Sequence, residues 1–305
     1  MATPTDYIFT PGTCLKKDFY GVLKAVLTKA GWTNVTSNYR TDGDVFVSAL
    51  IADGKALIIN LKNTEPSIIP SNHTQDTDTT LYTIISVRSP EQYTPGTDGS
   101  AGVFTGLTTW VGLQIAPQPT TVSHNPPITY VTPIDTILNY KIYVDTSKVI
   151  VSIEYQYCID PEGASTDPML FYIGVPDTVY NIKSNNDLII GTTAGAVGLR
   201  VTNTSDGVGK TTDSYVLDTM AATPTKNPNN NGSYAISEIY YGSLKEGVRG
   251  KLDGILVLSS SNLRTGTMLK IGPYMYYVLT CKNRGWWRGY TVNSFPSNVL
   301  AIRIS

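Results

Sequence analysis

One amphipathic helix followed directly by strands is the feature that most constrains the fold of this chain. Near the N-terminus, apolar side chains recur at steps of three, four and seven, which is the spacing of one helix face. The residues on that face are Phe19, Leu23, Val26, Leu27 and Ala30. Gly31 follows, where a glycine in the left-handed conformation commonly ends a helix. We therefore predict a helix over about residues 16–30.

Two strands are predicted immediately after the helix, over residues 45–51 and 56–61. Asp53-Gly54 lies between them, and this dipeptide is a strong signal for the tight turn of a β-hairpin. Because the helix has one apolar face, we expect it to bury that face against the sheet that these strands begin.

The clearest hairpin in the sequence spans residues 137–157, with a polar turn at residues 145–148. In its returning strand, side chains alternate between the two faces of the sheet. One face carries Val149, Val151, Ile153, Tyr155 and Tyr157. The other face carries Ile150, Ser152, Glu154 and Gln156, and we predict that it is mostly exposed to solvent.

Three long segments are predicted to be loops, over residues 63–80, 89–102 and 117–133. Loops longer than about 12 residues are uncommon in compact domains and usually carry function or contacts. We therefore expect these segments to supply contact area to neighbouring subunits.

Short strands separated by turn signals fill the second half of the chain. They are predicted at 169–175, 188–191, 197–202, 215–217, 234–241, 255–259 and 299–304, with a hairpin over 266–281 around Gly272-Pro273. Many short strands of this kind are typical of a β-sandwich or a barrel. We predict an α+β chain that is mostly β, with one N-terminal amphipathic helix packed on an antiparallel sheet and a β-sandwich or barrel-like region after it.

A turn-rich link begins at Asp160-Pro161-Glu162-Gly163 and ends at Pro168. Such a link is a candidate domain boundary. We predict an α+β module with long polar loops over residues 1–160 and a β-rich domain over residues 161–305.

Composition limits the partners of this protein. The 305 residues carry a net charge of −1, and 15% of them are charged, compared with about 25% in an average globular chain. A nearly neutral chain has no broad electrostatic attraction to nucleic acid. The 20 tyrosines and the low charge are typical of a subunit packed among neighbours, since Tyr is enriched and Lys and Glu are depleted at interfaces.

No apolar run approaches the length that crosses a bilayer, so we expect no membrane insertion. Residues 1–14 are polar and contain Pro4, Pro11 and Gly12, so we expect no secretory leader and synthesis in the cytosol. Cys14, Cys158 and Cys281 are odd in number and far apart, which favours buried free thiols over a disulfide framework.

One segment resembles a nucleotide-binding loop without completing the pattern. Residues 207–212 read Gly-Val-Gly-Lys-Thr-Thr, but the pattern requires a further glycine at the position of Thr204. The segment is also followed by a strand-like run where the pattern requires a helix. We interpret it as an ordinary turn and expect no nucleotide cofactor.

Other candidates for chemistry are equally isolated. His73 and His124 have no second His or Cys at metal-ligand spacing, so we predict no zinc site. Two carboxylate pairs, Asp76 with Asp78 and Asp160 with Glu162, lie in polar loops and are interpreted as solvated acids. We predict no catalytic residues, no metal, no cofactor and no enzymatic activity.

One aromatic and basic segment stands out as a candidate interface. It contains Arg284, Trp286, Trp287, Arg288 and Tyr290 within seven residues. Trp, Tyr and Arg dominate binding hot spots, and Arg stacks on aromatic rings. The segment is either a surface that binds a partner protein or a sugar, or a hairpin whose tryptophans alternate between core and surface.

The N-terminal pattern also resembles a known class. The helix with its Phe19-Tyr20 and Leu23-Lys24-Ala25 steps, the following Gly31-Trp32, and the Gly43-Asp44 turn before a hairpin are similar to the N-terminal module of virion structural proteins of tailed bacteriophages. The similarity covers residues 8–62, about a fifth of the chain. It implies a place in a phage tail, baseplate or neck, and it implies no catalytic residues.

Three hypotheses about function follow. The leading one is a non-enzymatic virion component, made in the cytoplasm of a host bacterium, that assembles with copies of itself and other virion proteins. The alternative is a virion module that binds a carbohydrate or host receptor, such as a surface glycan, through exposed Trp and Tyr. The third is a hydrolase that acts on cell-wall polymer.

Overall fold

The structure is a computed structural model. It describes residues 7–48, 56–63, 83–90, 92–97, 99–107, 110–114, 137–155, 169–174, 177–178, 189–193, 199–203, 214–217, 236–243, 247–259, 263, 266–279 and 298–305. Within these ranges the chain forms one α-helix and twenty β-strands, and all strand pairs are antiparallel. The predicted mostly β class with one helix and antiparallel sheets is confirmed.

The helix is α1 (Phe19–Lys29). The strands, in chain order, are β1 (Ile8–Leu15), β2 (Thr33–Asn34), β3 (Asp44–Val47), β4 (Ile58–Asn63), β5 (Thr83–Arg88), β6 (Gln92–Thr94), β7 (Val103–Thr105), β8 (Val111–Gln114), β9 (Ile137–Val144), β10 (Lys148–Tyr155), β11 (Met169–Gly174), β12 (Asp177–Thr178), β13 (Ile189–Thr193), β14 (Leu199–Asn203), β15 (Ser214–Leu217), β16 (Ile236–Ser243), β17 (Gly247–Ser259), β18 (Met268–Ile271), β19 (Tyr274–Leu279) and β20 (Asn298–Arg303).

The helix buries the face that the sequence predicts. Phe19, Leu23, Val26 and Leu27 are all buried, in one apolar cluster with residues of β3, β4 and β9. A short 3-10 turn over Lys16–Asp18 precedes α1, so the α-helix begins three residues later than predicted.

The C-terminal end of the helix is closed by backbone hydrogen bonds. Gly31 has a φ of 83°, which confirms the predicted left-handed glycine. The amide of Trp32 donates to the carbonyl of Leu27, and the amide of Gly31 donates to the carbonyl of Thr28, both at 3.0 Å. This pair of bonds is the Schellman motif, in which the residue after the glycine packs back on the helix. Trp32 is accordingly buried.

Strands β2, β3, β4, β5 and β8 form one sheet in that order, which we call the helix-side sheet. Strands β3 and β4 are the predicted pair after the helix, although β4 begins two residues later than predicted. Asp53-Gly54, the predicted turn between them, lies outside the described residues.

Strands β1, β9, β10, β11, β13 and β14 form the central sheet, in that order. The predicted hairpin is present as β9 and β10, with Val144 paired to Val149. Val149, Val151 and Ile153 share an apolar cluster with α1 and the helix-side sheet. This face of the central sheet therefore lies against α1 and the helix-side sheet.

The opposite face of β10 corrects the prediction of a mostly solvent-exposed surface. Ile150 and Ser152 are both 0% exposed. Ile150 shares a second apolar cluster with Tyr143 and Tyr172 of the central sheet and with residues of β17 and β20, among them Ile255 and Ile302. A second sheet covers this face, and a strand's own sequence does not show what packs against it.

That second sheet, the C-terminal sheet, has the order β15-β16-β17-β20-β19-β18, with β12 paired to β17. The predicted hairpin around Gly272-Pro273 is present as β18 and β19. The predicted strand at 255–259 is the end of the 13-residue strand β17. The central sheet thus has the helix-side sheet on one face and the C-terminal sheet on the other.

Residues 89–102, predicted to be one long loop, contain strand β6, and strand β7 follows them directly. Strands β6 and β7 pair as a two-stranded ribbon, with Tyr93 opposite Phe104. An isolated ribbon of this size is marginal in water. It is stabilised by contacts with residues distant in sequence, described below, which explains why local patterns did not reveal it.

The predicted boundary near residue 160, between a module over residues 1–160 and a domain over residues 161–305, stays a prediction. Strands β10 and β11 lie on either side of that point and pair in register from Lys148 opposite Gly174 to Ile153 opposite Met169.

Among the helices in the described ranges, none is long and apolar enough to cross a membrane.

Candidate functional site

The interface residues predicted from sequence lie outside the described part of the chain. These are Arg284, Trp286, Trp287, Arg288 and Tyr290. The same holds for residues 207–212, for His73 and His124, for both carboxylate pairs, and for the predicted loop 117–133. Their proposed roles stay predictions.

Cys14 is a half-buried free thiol, and burial raises its pKa to about 11.

A network of aromatic rings and cations joins the ribbon to the helix-side sheet. We call it the ladder, and its members are Tyr93, Arg40, Phe104, Arg88, Trp110 and Lys62. Each cation near an aromatic face contributes about 0.5–2 kcal/mol, the larger figure applying where water is excluded. The ladder therefore supplies the stability that a two-stranded ribbon lacks by itself.

Phe104 is the central ring of the ladder. The guanidinium carbon of Arg40 lies 4.1 Å from the centre of the Phe104 ring, and that of Arg88 lies 5.1 Å from it. Arg88 also lies 4.3 Å from the centre of the Trp110 ring. Because Phe104 belongs to β7 and Arg88 to β5, these contacts connect the two sheets directly.

Asp42 holds the two arginines of the ladder together. One carboxylate oxygen accepts from Arg40 and the other accepts from Arg88. Burial lowers the pKa of Arg88, the charge of Asp42 opposes this, and the nearby charge of Arg40 adds to the lowering. The negative charge of Asp42 offsets the repulsion between the two cations, and the ladder keeps a net positive charge.

Arg40 also fixes the tip of the ribbon. Its Nε donates to the carbonyl of Ala101 at 3.0 Å, and its Nη2 lies 3.4 Å from the carbonyl oxygen of Gly102. The Tyr93 hydroxyl donates to the same Ala101 carbonyl at 3.2 Å. Gly102 has a φ of 82°, and a Cβ there would lie 2.7 Å from the Thr94 carbonyl oxygen. Only glycine therefore fits this turn without strain.

Arg88 connects the ladder to buried polar groups of the helix-side sheet. The Nε of Arg88 donates to the Asn60 side-chain oxygen at 2.8 Å, and the Asn60 side-chain nitrogen donates to the Asp44 carbonyl at 3.2 Å. Asn60 is 0% exposed, so losing either partner would leave a buried polar group unpaired. The position of Arg88 is therefore tightly specified.

The two faces of the ribbon differ in how far their side chains are buried. Tyr93 and Phe104 point inward onto the ladder and are half-buried. The alternating outward positions are Gln92, Thr94, Val103 and Thr105, and all four are exposed. None of these four side chains is charged, and Val103 is 63% exposed. This small neutral surface is the best candidate for a contact surface within the described residues.

A second polar cluster joins the central sheet to the C-terminal sheet. The buried Nζ of Lys148 lies 2.8 Å from a carboxylate oxygen of Asp253 and 3.0 Å from one of Asp145. It also donates to the Ser147 hydroxyl at 3.2 Å. The three protons of the ammonium group thus have three acceptors. Arg303 lies 3.8 Å from the same Asp253 oxygen and stacks on Tyr274.

The charges of this second cluster stabilise one another. Burial acts to lower the pKa of Lys148, but Asp145 and Asp253 together raise it above its ordinary value. Burial acts to raise the pKa of Asp145, but the charge and hydrogen bonds of Lys148 and Ser147 lower it. Both groups are therefore ionised near neutral pH, and the cluster functions as an ionic connection between two sheets.

The chemistry available at these sites is recognition and packing. Within the described ranges, no group of three or more His, Cys, Asp or Glu side chains is arranged to bind a metal ion. Sequence reasoning missed both the ladder and the Lys148 cluster, since their members come from separate strands and loops.

Comparison of the sequence with protein-family models and with curated protein sequences finds no match.

Proposed function

We propose that this chain is a non-enzymatic structural component of a tailed bacteriophage particle, in its tail, baseplate or neck, that assembles with copies of itself and with other virion proteins. The observation that carries the proposal is the ribbon held by the ladder. A protein that only needed to fold would gain little from a neutral, outward-facing pair of strands fixed in one orientation. A subunit that meets a neighbour gains a preorganised contact surface.

The segment that resembles phage virion proteins, residues 8–62, also supports the proposal. Its helix α1 buries the predicted face, and strands β3 and β4 pair after it. For the whole architecture, we propose that the central and C-terminal sheets form a β-sandwich to which α1 and the helix-side sheet add a further layer. Facing apolar residues of the two sheets, such as Ile150 and Ile255, support that arrangement.

The test is the protein content of purified particles. Particles of the phage that carries the gene would be purified on a density gradient, and peptides of this chain would be counted by mass spectrometry against the major capsid protein. We expect a fixed number of copies per particle that survives a high-salt wash. Absence from gradient-purified particles would refute the proposal, and retention of the purified chain on host cell walls would then favour the glycan-binding alternative.

A further inference from the structure

The turn between β9 and β10, residues 145–148, contacts the layers on both sides of the central sheet. It meets Trp32 on the side of α1 and the helix-side sheet, and it meets Asp253 of the C-terminal sheet. We propose that Asp145 in this turn couples the two sides of the central sheet, so that a structural change on one side alters the hydrogen bonding on the other. This inference goes beyond the proposed virion role, because it concerns a property of the single chain.

The polar groups of Asp145 are all engaged at once. Its amide donates to the Lys148 carbonyl, and its carbonyl accepts from the Trp32 indole, both at 3.0 Å. One carboxylate oxygen accepts from the amides of Ser147 and Lys148 at 2.7 and 2.8 Å. The other accepts from the Tyr143 hydroxyl at 3.0 Å and lies 3.0 Å from the Lys148 Nζ. Because these bonds share one residue, a shift of the turn changes several of them together.

Trp32 connects the end of α1 to this turn. Its amide donates to the Leu27 carbonyl, and its side chain is buried in the apolar cluster of α1 and the helix-side sheet. The indole Nε1 is the atom that reaches the Asp145 carbonyl. Since the backbone and the ring are both fixed, a movement at the end of α1 changes the position of the indole relative to the turn.

Lys148 connects the turn to the C-terminal sheet. Its Nζ lies 2.8 Å from the Asp253 carboxylate in β17. Gly254 follows Asp253 with a φ of 88°, and a Cβ there would lie 3.0 Å from the Ile150 side chain and 3.4 Å from the Lys148 Cε. Strand β17 therefore lies directly against Lys148, and the position of Asp253 is felt at the ammonium group.

A change at Asp253 has a defined route to Trp32. When the Asp253 charge is lost, the attraction between Lys148 and Asp145 is no longer balanced by a second carboxylate. The Asp145 carboxylate also caps the backbone of the turn, so its displacement moves the backbone that carries the Asp145 carbonyl. Hydrogen-bond networks of this kind carry energetic coupling between sites that do not share a strand.

The experiment measures hydrogen exchange of the Trp32 indole by NMR in the purified full chain. The chain has four tryptophans, and Trp32→Phe identifies the Trp32 signal. Exchange of this hydrogen reports on opening of its bond to the Asp145 carbonyl. We expect Asp253→Asn to accelerate it at least about fivefold, which is the lower end of usual couplings between two sites. The amides of β4 report on global unfolding, and we expect them to accelerate less.

The matched control is Glu238→Gln, which also replaces a carboxylate by an amide at a lysine partner on the C-terminal sheet. Glu238 lies 2.7 Å from the Lys251 Nζ, and its side chain is 41% exposed, close to the 38% of Asp253. Because this pair does not include the turn, we expect Glu238→Gln to leave exchange of the Trp32 indole unchanged.

The reverse perturbation uses Trp32→Phe, which removes the indole donor and keeps an aromatic ring. We expect the Lys148 amide, which donates to the Asp145 carboxylate, to accelerate more than the amides of β4. Strand β4 shares an apolar cluster with Trp32, so a simple packing defect would affect β4 at least as strongly. This arm decides the question if Asp253→Asn does not fold.

Unchanged indole exchange in Asp253→Asn overturns the inference, as does equal acceleration of the indole and the β4 amides. The same acceleration in Glu238→Gln overturns it too, because the effect would then not depend on the turn. In the reverse arm, a Lys148 amide that accelerates no more than the β4 amides overturns it. The proposed function is tested separately, by the protein content of purified particles.

Discussion

Lys148 provides the sharpest test of how the central and C-terminal sheets are held together. Its Nζ is the cation between Asp145 and Asp253, and replacing Lys148 by Met keeps much of its apolar volume while removing the charge. Removing one partner of a buried ion pair usually costs about 3–5 kcal/mol, because the other partner is left as an uncompensated charge.

The structure places the expected cost at the low end of that range. The side chain of Asp253 is 38% exposed and can be hydrated when Lys148 is lost, whereas that of Asp145 is only 16% exposed. Asp145 keeps hydrogen bonds from the Ser147 backbone and from the Tyr143 hydroxyl. We therefore expect Lys148→Met to lower the free energy of unfolding by about 3 kcal/mol. At about 2 °C per kcal/mol, the thermal midpoint should fall by about 6 °C.

The assay is urea unfolding at pH 7, followed by tryptophan fluorescence. Trp32 is a suitable reporter, because its Nε1 donates to the Asp145 carbonyl at 3.0 Å and the side chain is 2% exposed. The matched control is Lys251→Met, which breaks a pair with Glu238 whose side chains are 28% and 41% exposed. That change should cost less than about 1 kcal/mol.

A rescue experiment isolates the charge. Combining Lys148→Met with Asp145→Asn and Asp253→Asn removes the uncompensated carboxylates, so part of the lost stability should return. If Lys148→Met unfolds at the same urea concentration as the native chain, or if the triple variant is no more stable than the single one, the ionic account of this cluster is wrong.

The same cluster predicts a pH dependence. The pKa of Asp145 is lowered in the folded state, so its contribution is present above its ordinary value of 3.8 and is lost as the pH falls through the folded value. The pKa of Lys148 is raised, so its contribution is present below its ordinary value of 10.5 and is lost only at higher pH. The difference in stability between the native chain and Lys148→Met should therefore be constant near neutrality and shrink below about pH 3.8.

Three further predictions concern the helix, the ladder and the aromatic segment that contains Trp286 and Trp287. Leu23→Ala should lower the free energy of unfolding by about 2–5 kcal/mol because the side chain is fully buried, and an unchanged thermal midpoint would contradict the packing of α1. Phe104→Ala removes the ring that the guanidinium groups of Arg40 and Arg88 both contact, and it should cost about 2 kcal/mol. Hydrogen exchange of the residue 92–105 amides should then accelerate more than that of the central-sheet amides, and uniform exchange would argue against the ladder. Trp287→Ala should reduce incorporation into particles more than it reduces the thermal midpoint, with Trp286→Ala as its control. A large loss of stability with normal incorporation would place Trp287 in the core.

The sequence determined those features that depend on neighbouring residues. The face of α1 follows from helical periodicity, and its end at Gly31 follows from the left-handed conformation that glycine adopts without strain. The hairpin of β9 and β10 and the hairpin at Gly272-Pro273 follow from strand alternation and turn chemistry. In each case the energetic preference lies within one short continuous segment of the chain, so it is visible in the sequence.

The tertiary structure alone decided what lies against each surface. Ile150 and Ser152 occupy alternating positions that are typical of a solvent-exposed face, yet the C-terminal sheet covers them. Lys148 is buried because Asp253, more than a hundred positions away, supplies a carboxylate. The members of the ladder come from six separate segments, so no local pattern connects them. Periodicity reports which side chains share a face, whereas burial, pairing of charges and stacking depend on contacts between segments that only the folded chain brings together.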